Sequence, residues 1–188
     1  MEQVQPLLVT NRAVAARRTV AVLLGTALVS LAAQIAVPIP GTPVPVTLQP
    51  LAVLIVGGLL GPALGASSLV LYLLLGAAGL PVFTPFGLPG TARLIGPTGG
   101  YLLAYPLAAA IVGRLVGDGR STGRLAVAAL AGLVVIHLGG LAQLMLLTGS
   151  TALAVQLGTL PFLLSDLGKL AIAVLILRPL TTPLRARL

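Results

Sequence analysis

Polar positions in this chain are confined to short gaps between long apolar stretches, and the gaps mark out the expected elements. Met1 to Arg18 is a polar lead ending in Arg17-Arg18. Thr19 to Val37 is then apolar for 19 residues, enough to cross a hydrocarbon core of about 30 Å as a helix. Twin arginines, an apolar run and Ser30-Leu31-Ala32 also fit a secretory signal with its cleavage site, but the apolar pattern continues past that point to Val37. Pro50 to Gly79 is apolar for 30 residues, interrupted at Gly57-Gly58 and Gly61-Pro62. One helix of that length would reach about 45 Å, so the pattern predicts a split near Gly61-Pro62 into spans over 50–62 and 63–79. Further apolar runs predict spans over about 100–115, 125–147 and 161–178.

Two of the gaps are rich in proline and glycine. Val37 to Pro50 carries five prolines and no charge, a density that forbids helix and favours extended, semi-rigid backbone. Gly79 to Gly100 holds Phe83, Phe86 and Arg93 among further glycines and prolines. Irregular backbone of this kind is tolerated at membrane depth where it lines a cavity. The link from Gly117 to Gly123 carries Asp118 among flanking arginines, and Thr148 to Thr159 is uncharged.

Charge decides the number of crossings. With the split at Gly61-Pro62, Arg12, Arg17, Arg18, Arg114, Arg120, Arg124, Arg178, Arg185 and Arg187 share one side, and Arg93 alone falls on the other. Without it the basic residues divide four against six. The positive-inside rule favours the split, with both termini cytoplasmic. Of 188 residues 57% are hydrophobic and 7% charged, where a soluble domain has about a quarter charged. The expectation is an all-α membrane protein in the plasma membrane: one domain, a six-transmembrane-helix bundle with two stiff Gly/Pro-rich external loops. The formal charge of +8 sits at the ends of apolar runs, as topology requires, so no nucleic-acid partner is expected. With no cysteine in the chain, disulfides and thiolate metal sites are excluded.

The chemistry lies in the last apolar run, Pro161 to Leu177. It holds Asp166, one of three carboxylates, and Lys169, the only lysine. Three residues apart on a helix, they share one face. Ionisable groups at membrane depth cost roughly 2.5–3.5 kcal/mol each and usually face a polar cavity. A purely structural ion pair between spans is the plain alternative, but apolar side chains make such a contact more cheaply. In the six-span topology Asp166 lies about 7–8 Å below the external surface, with Lys169 one turn deeper. A pocket pairing acceptor and donor there suits a small molecule carrying a carboxylate and polar N–H groups. His137, alone in the fifth span, reads as a hydrogen-bonded helix-packing residue. Ala21 and Gly25, four apart, form a small-residue face that lets another helix approach closely.

Several motifs resemble one family in order and spacing: Val44-Pro45-Val46-Thr47-Leu48-Gln49, Gly79-Leu80-Pro81-Val82-Phe83, Gly96-Pro97-Thr98-Gly99-Gly100-Tyr101-Leu102 and Asp166-x-x-Lys169. They are similar to those of the BioY family, the biotin-binding S components of energy-coupling factor (ECF) transporters. The resemblance runs from the first span to about Arg178; Leu103-Ala104-Tyr105 departs from it where Gly and an aromatic are expected.

It implies six helices, a ligand held in the outer half under the first loop, and three partner chains: a transmembrane coupling subunit and two ATP-binding subunits. Biotin would be the substrate, with no cofactor. The implied polar pair is Asp166 and Lys169, with Arg93 where some members carry a basic residue. Thr47, Gln49 and Phe83, then Thr98, Gly99 and Tyr101, complete the expected ligand contacts, together with Gln143 from the fifth span. Phe83, Phe86 and Tyr101 are candidates to wall the apolar rings. Asp166 is expected to accept from a ureido N–H while Lys169 or Arg93 meets the carboxylate; Lys169 neutralising Asp166 is the other reading. Ala21 and Gly25 are assigned to the coupling-subunit interface.

Gly168-Lys169 is followed by Leu170, so the phosphate-loop pattern is not met and ATP hydrolysis is left to other chains. A self-sufficient secondary transporter for another small solute is the rival function. An intramembrane enzyme using Ser67 or Ser68 with His137 is a weaker one, since serines in apolar helices commonly serve packing.

Overall fold

The computed structural model describes the backbone of residues 4–188 and side chains from residue 12 onward; Met1–Gln3 of the polar lead lie outside the described residues. Helix α1 covers Val4–Gln34, so most of the lead is helical and continuous with the first span. That span closes three residues earlier than expected. Ala36–Val37 forms a short strand, β1, antiparallel to β2 at Val46–Thr47. Pro38 disfavours helical backbone at Val37, and the pairing gives that backbone its partners. The proline segment is thus extended, folded into a hairpin over the end of the bundle.

Helix α2 is assigned over Gln49–Ala77, but Gly61 inside it has φ 81° and ψ 178°, a conformation open essentially to glycine alone. The chain reverses there. Gln49 Nε2 donates to Tyr72 Oη at 2.5 Å, although 23 residues of straight helix would separate them by about 35 Å. The two arms press together at Gly57 and Gly65. The split expected at Gly61-Pro62 is therefore present as a reversal of direction.

A short helix the sequence did not suggest, α3 (Thr91–Ile95), interrupts the second Gly/Pro segment. Then come α4 (Gly99–Leu115) and α5 (Thr122–Thr148), the latter ended by Gly149 in the left-handed region. The uncharged loop expected over 148–159 instead contains α6 (Thr151–Gly158), started by Ser150, whose side chain accepts from Leu153 N. After a 3₁₀ turn over Leu160–Phe162, α7 runs from Leu163 to Arg185. It passes Pro179, where the last span was expected to stop. Tertiary contacts hold this extra length: Thr182 Oγ1 donates to Asp118 O at 2.6 Å, and Arg185 Nη2 donates to Gly58 O at 2.6 Å and Gly113 O at 2.9 Å.

Helix α2 packs most extensively against α4, and α4 next against α5. A Cβ at Gly57 would overlap the Ala109 backbone of α4. One apolar core lies near the loops around Val53, Tyr72, Tyr105 and Ile136, and a second around Leu54, Val112, Leu125 and Leu177. Leu24, Leu31, Leu74, Leu146, Leu164 and Leu175 project outward from the helices, as a lipid-facing perimeter requires. Among the described residues, Arg12–Gln34, Gln49–Ala77, Thr122–Thr148 and Thr151–Arg185 are long and apolar enough to cross a membrane; Gly99–Leu115 is shorter. The chain is a predominantly helical, multi-pass membrane protein.

Candidate functional site

One turn into α7, Asp166 and Lys169 point inward and are 7% and 5% exposed. Lys169 Nζ donates to Asp166 Oδ1 at 2.8 Å. The other carboxylate oxygen, Oδ2, lies 2.6 Å from Nε2 of His137 on α5. An ionised carboxylate only accepts, so His137 Nε2 carries the proton in this contact. His137 Nδ1 is buried with no partner. Three titratable side chains from two helices thus form one cluster, Asp166 and Lys169 buried and His137 half-buried, with its acid held from both sides.

The cluster forms one wall of a cavity enclosed between the helices and the two Gly/Pro-rich segments. Helix α4 contributes Tyr101 and Tyr105. Tyr101 donates from Oη to Gly158 O at 2.6 Å and meets the His137 ring edge-on at 6.1 Å. Phe162 of the 3₁₀ turn tilts against the same imidazole at 6.4 Å. The roof comes from the two Gly/Pro-rich segments: Val44 and Pro45 of the hairpin, with Phe83 and Thr84 of the second loop.

Gln49 opens α2 at the cavity edge. Its Oε1 accepts from Thr47 Oγ1 at 3.2 Å while its amide nitrogen holds Tyr72, and Phe83 packs edge-on to Tyr72 at 5.3 Å. Arg93, on α3, is 6% exposed and lines the cavity. Its Nη2 donates to Thr84 O at 2.8 Å, but its Nε is buried without a partner. Burial lowers its pKa from the ordinary arginine value, partly offset by nearby Tyr72; a guanidinium starting so high stays charged. The site therefore offers a neutralised acid–base pair at one place, an under-partnered cation at another, and aromatic walls between loops and helices. Such a cavity can hold an amphiphilic solute with one anionic group and separate hydrogen-bonding groups.

A family model described as the BioY family matches residues 5–186. The chain belongs to the BioY family. A probable biotin transporter BioY from Pyrococcus horikoshii is 45% identical over 155 residues, covering 82% of this chain and 90% of the relative. The biotin transporter BioY of Thermotoga maritima is 38% identical over 151 residues, covering 80% and 88%. The fold is similar to a crystal structure of the S-component for biotin from an ECF-type ABC transporter. The TM-score is 0.78 at 27% identity, over 88% of this chain and 90% of that one.

Within this BioY chain, eight residues anticipated from the sequence line one cavity: Thr47, Gln49, Phe83, Arg93, Thr98, Tyr101, Asp166 and Lys169. Two others do not. Gly99 is buried where α4 begins, and a Cβ there would overlap the Leu94 carbonyl. Gln143 donates from Nε2 to Ile95 O at 2.9 Å, tying α5 to the end of α3 outside the cavity. Phe86 is 48% exposed and lines a separate outer cleft between the loops.

Ala21 and Gly25 are buried against α2 of the same chain: a Cβ on Gly25 would come within 2.6 Å of Ser68 Oγ. Gly25 thus also makes a close contact within the chain. Both residues floor an apolar groove whose sides include Leu24, Leu28, Leu59 and Leu184, so any partner meets those leucines as well. Ser68 Oγ bonds back to Leu64 O at 2.9 Å, in keeping with a packing role.

The sequence pointed to a hydrogen-bonded, helix-packing His137 but not to Asp166 as its partner, and it did not single out Tyr105 or Phe162 as cavity residues. His137 stands 29 residues from Asp166, beyond the reach of any helical spacing rule. The usable signal was its being the one histidine in the chain and lying within an apolar span.

Proposed function

We propose that this chain binds biotin in the cavity described and serves as the high-affinity substrate-binding subunit of an ECF transporter. The observation carrying the reading is the Asp166–Lys169–His137 cluster beneath the two loops, in a chain that matches the BioY family over residues 5–186. Biotin joins a ureido ring, a thioether ring and a valerate carboxylate. Asp166 accepts from a ureido N–H, and the aromatic walls take the apolar rings. Lys169 is already committed to Asp166 and keeps it ionised. Arg93, with its unpartnered Nε, is then the cation for the carboxylate.

The chain crosses the plasma membrane six times, the two arms of α2 each counting once, with both termini cytoplasmic. The reversal at Gly61 and the charge asymmetry of the arginines support this topology. Gly99 and Gln143 act by positioning α4 and α5. The chain is a transport subunit; a transmembrane coupling subunit docks on the groove floored by Ala21 and Gly25, and two ATP-binding subunits supply hydrolysis. No cofactor takes part.

Purification in detergent tests the reading. Biotin should copurify near one per chain, leave on denaturation, and be absent from Asp166→Asn. A wild-type protein that holds no biotin, even after soaking, refutes it.

A further inference from the structure

The cluster contains an atom whose bonding is incomplete. His137 makes one hydrogen bond, through Nε2 to Asp166, and its Nδ1 is buried with none. With the proton on Nε2, Nδ1 carries a lone pair. Buried polar atoms are nearly always partnered, so an orphan acceptor beside a ligand cavity points to a partner that arrives with the ligand. The ring has little freedom to find one elsewhere. Tyr101 flanks it edge-on at 6.1 Å and is itself held by Gly158, and Phe162 flanks it at 6.4 Å.

We propose that His137 is a specificity-determining residue that contacts the ligand, its Nδ1 accepting a hydrogen bond from a ureido N–H next to the acceptor offered by Asp166. This rests on the biotin reading above and deepens it. Lys169 holds Asp166 ionised; ionised Asp166 fixes the proton on His137 Nε2; and that tautomer leaves Nδ1 free to accept. The pair is thereby converted into a recognition device for a neutral N–H donor.

The test is equilibrium binding of radiolabelled biotin to the detergent-solubilised full chain, comparing wild type with His137→Gln and His137→Leu. His137→Gln offers Asp166 a neutral donor and the ligand an acceptor, so it should bind within about threefold of wild type. His137→Leu should bind at least about tenfold more weakly, the worth of one lost hydrogen bond. If His137→Leu does not fold, as thermal unfolding would reveal, His137→Met takes its place with the same expected loss. A folded apolar variant that binds biotin as wild type does, or a His137→Gln variant as weak as the apolar one, overturns the assignment while leaving biotin binding intact. Wild type that binds no biotin overturns the underlying reading and this one with it.

Discussion

Breaking the Asp166–Lys169 pair from either side should cost stability unequally, because His137 touches only one partner. The pair is 2.8 Å apart, with both residues at least nine-tenths buried. At an effective dielectric of about 20, two unit charges at that separation attract by about 6 kcal/mol. Desolvation offsets about half, leaving about 3 kcal/mol lost when one partner is removed. Asp166→Asn strands Lys169 as a buried cation whose other contact is Ser165 Oγ at 3.5 Å, so the full loss of about 3 kcal/mol is expected. Lys169→Met leaves Asp166 with its contact to His137 Nε2, a partner that a stranded Lys169 does not have. That variant should lose less, about 2 kcal/mol. The double variant has no stranded charge and should cost about as much as the worse single one, a coupling of about 2 kcal/mol. Denaturant unfolding of the four proteins in mixed micelles, followed by far-ultraviolet circular dichroism, measures the cycle. Costs that add to within about 0.5 kcal/mol would mean that the two charges do not interact, and would refute the reasoning.

Arg93→Gln should weaken biotin binding about 10- to 100-fold, the loss of a charge-assisted contact, and leave biotin methyl ester unaffected; equal losses for both ligands would remove Arg93 from the carboxylate. Gly61→Ala should destabilise the protein by about 1–3 kcal/mol through backbone strain alone, since a Cβ there meets nothing within 4 Å; thermal unfolding at unchanged midpoint would count against the reversal. The natural chain has no cysteine, so single-cysteine labelling in intact cells reads topology directly. Phe86→Cys should react with an impermeant maleimide from outside and Arg120→Cys only after lysis; the opposite pattern would invert the proposed orientation.

How far the sequence carried can be judged from particular residues. The membrane class, the extended proline segment, the break at Gly61 and the pairing of Asp166 with Lys169 were all legible in it. Each depends on composition or on neighbours within one turn, and a helix places residues three apart on one face wherever it packs. The ends of elements were legible only in part. Pro179 reads locally as a stop, yet Arg185 reaches Gly58 and Gly113 across the bundle and holds the helix past it. Nothing near Pro179 in the chain records that anchor.

The assembly of the site belongs to the tertiary structure. Whether His137 or Gln143 faces the cavity depends on how α5 is rotated about its axis, and that rotation is set by contact with α4. A Cβ at Gly139 would strike Gly100 O, and one at Gly140 would overlap the Tyr101 ring. Close approach at those two glycines fixes α5 so that His137 meets Asp166 and Gln143 turns to Ile95. The sequence by itself determined which charged groups must be buried in the membrane and that two of them share a helical face, because burial cost and helical period are local properties. Only the packed bundle decided which third residue completes them, because that depends on the fit of surfaces far apart in the chain.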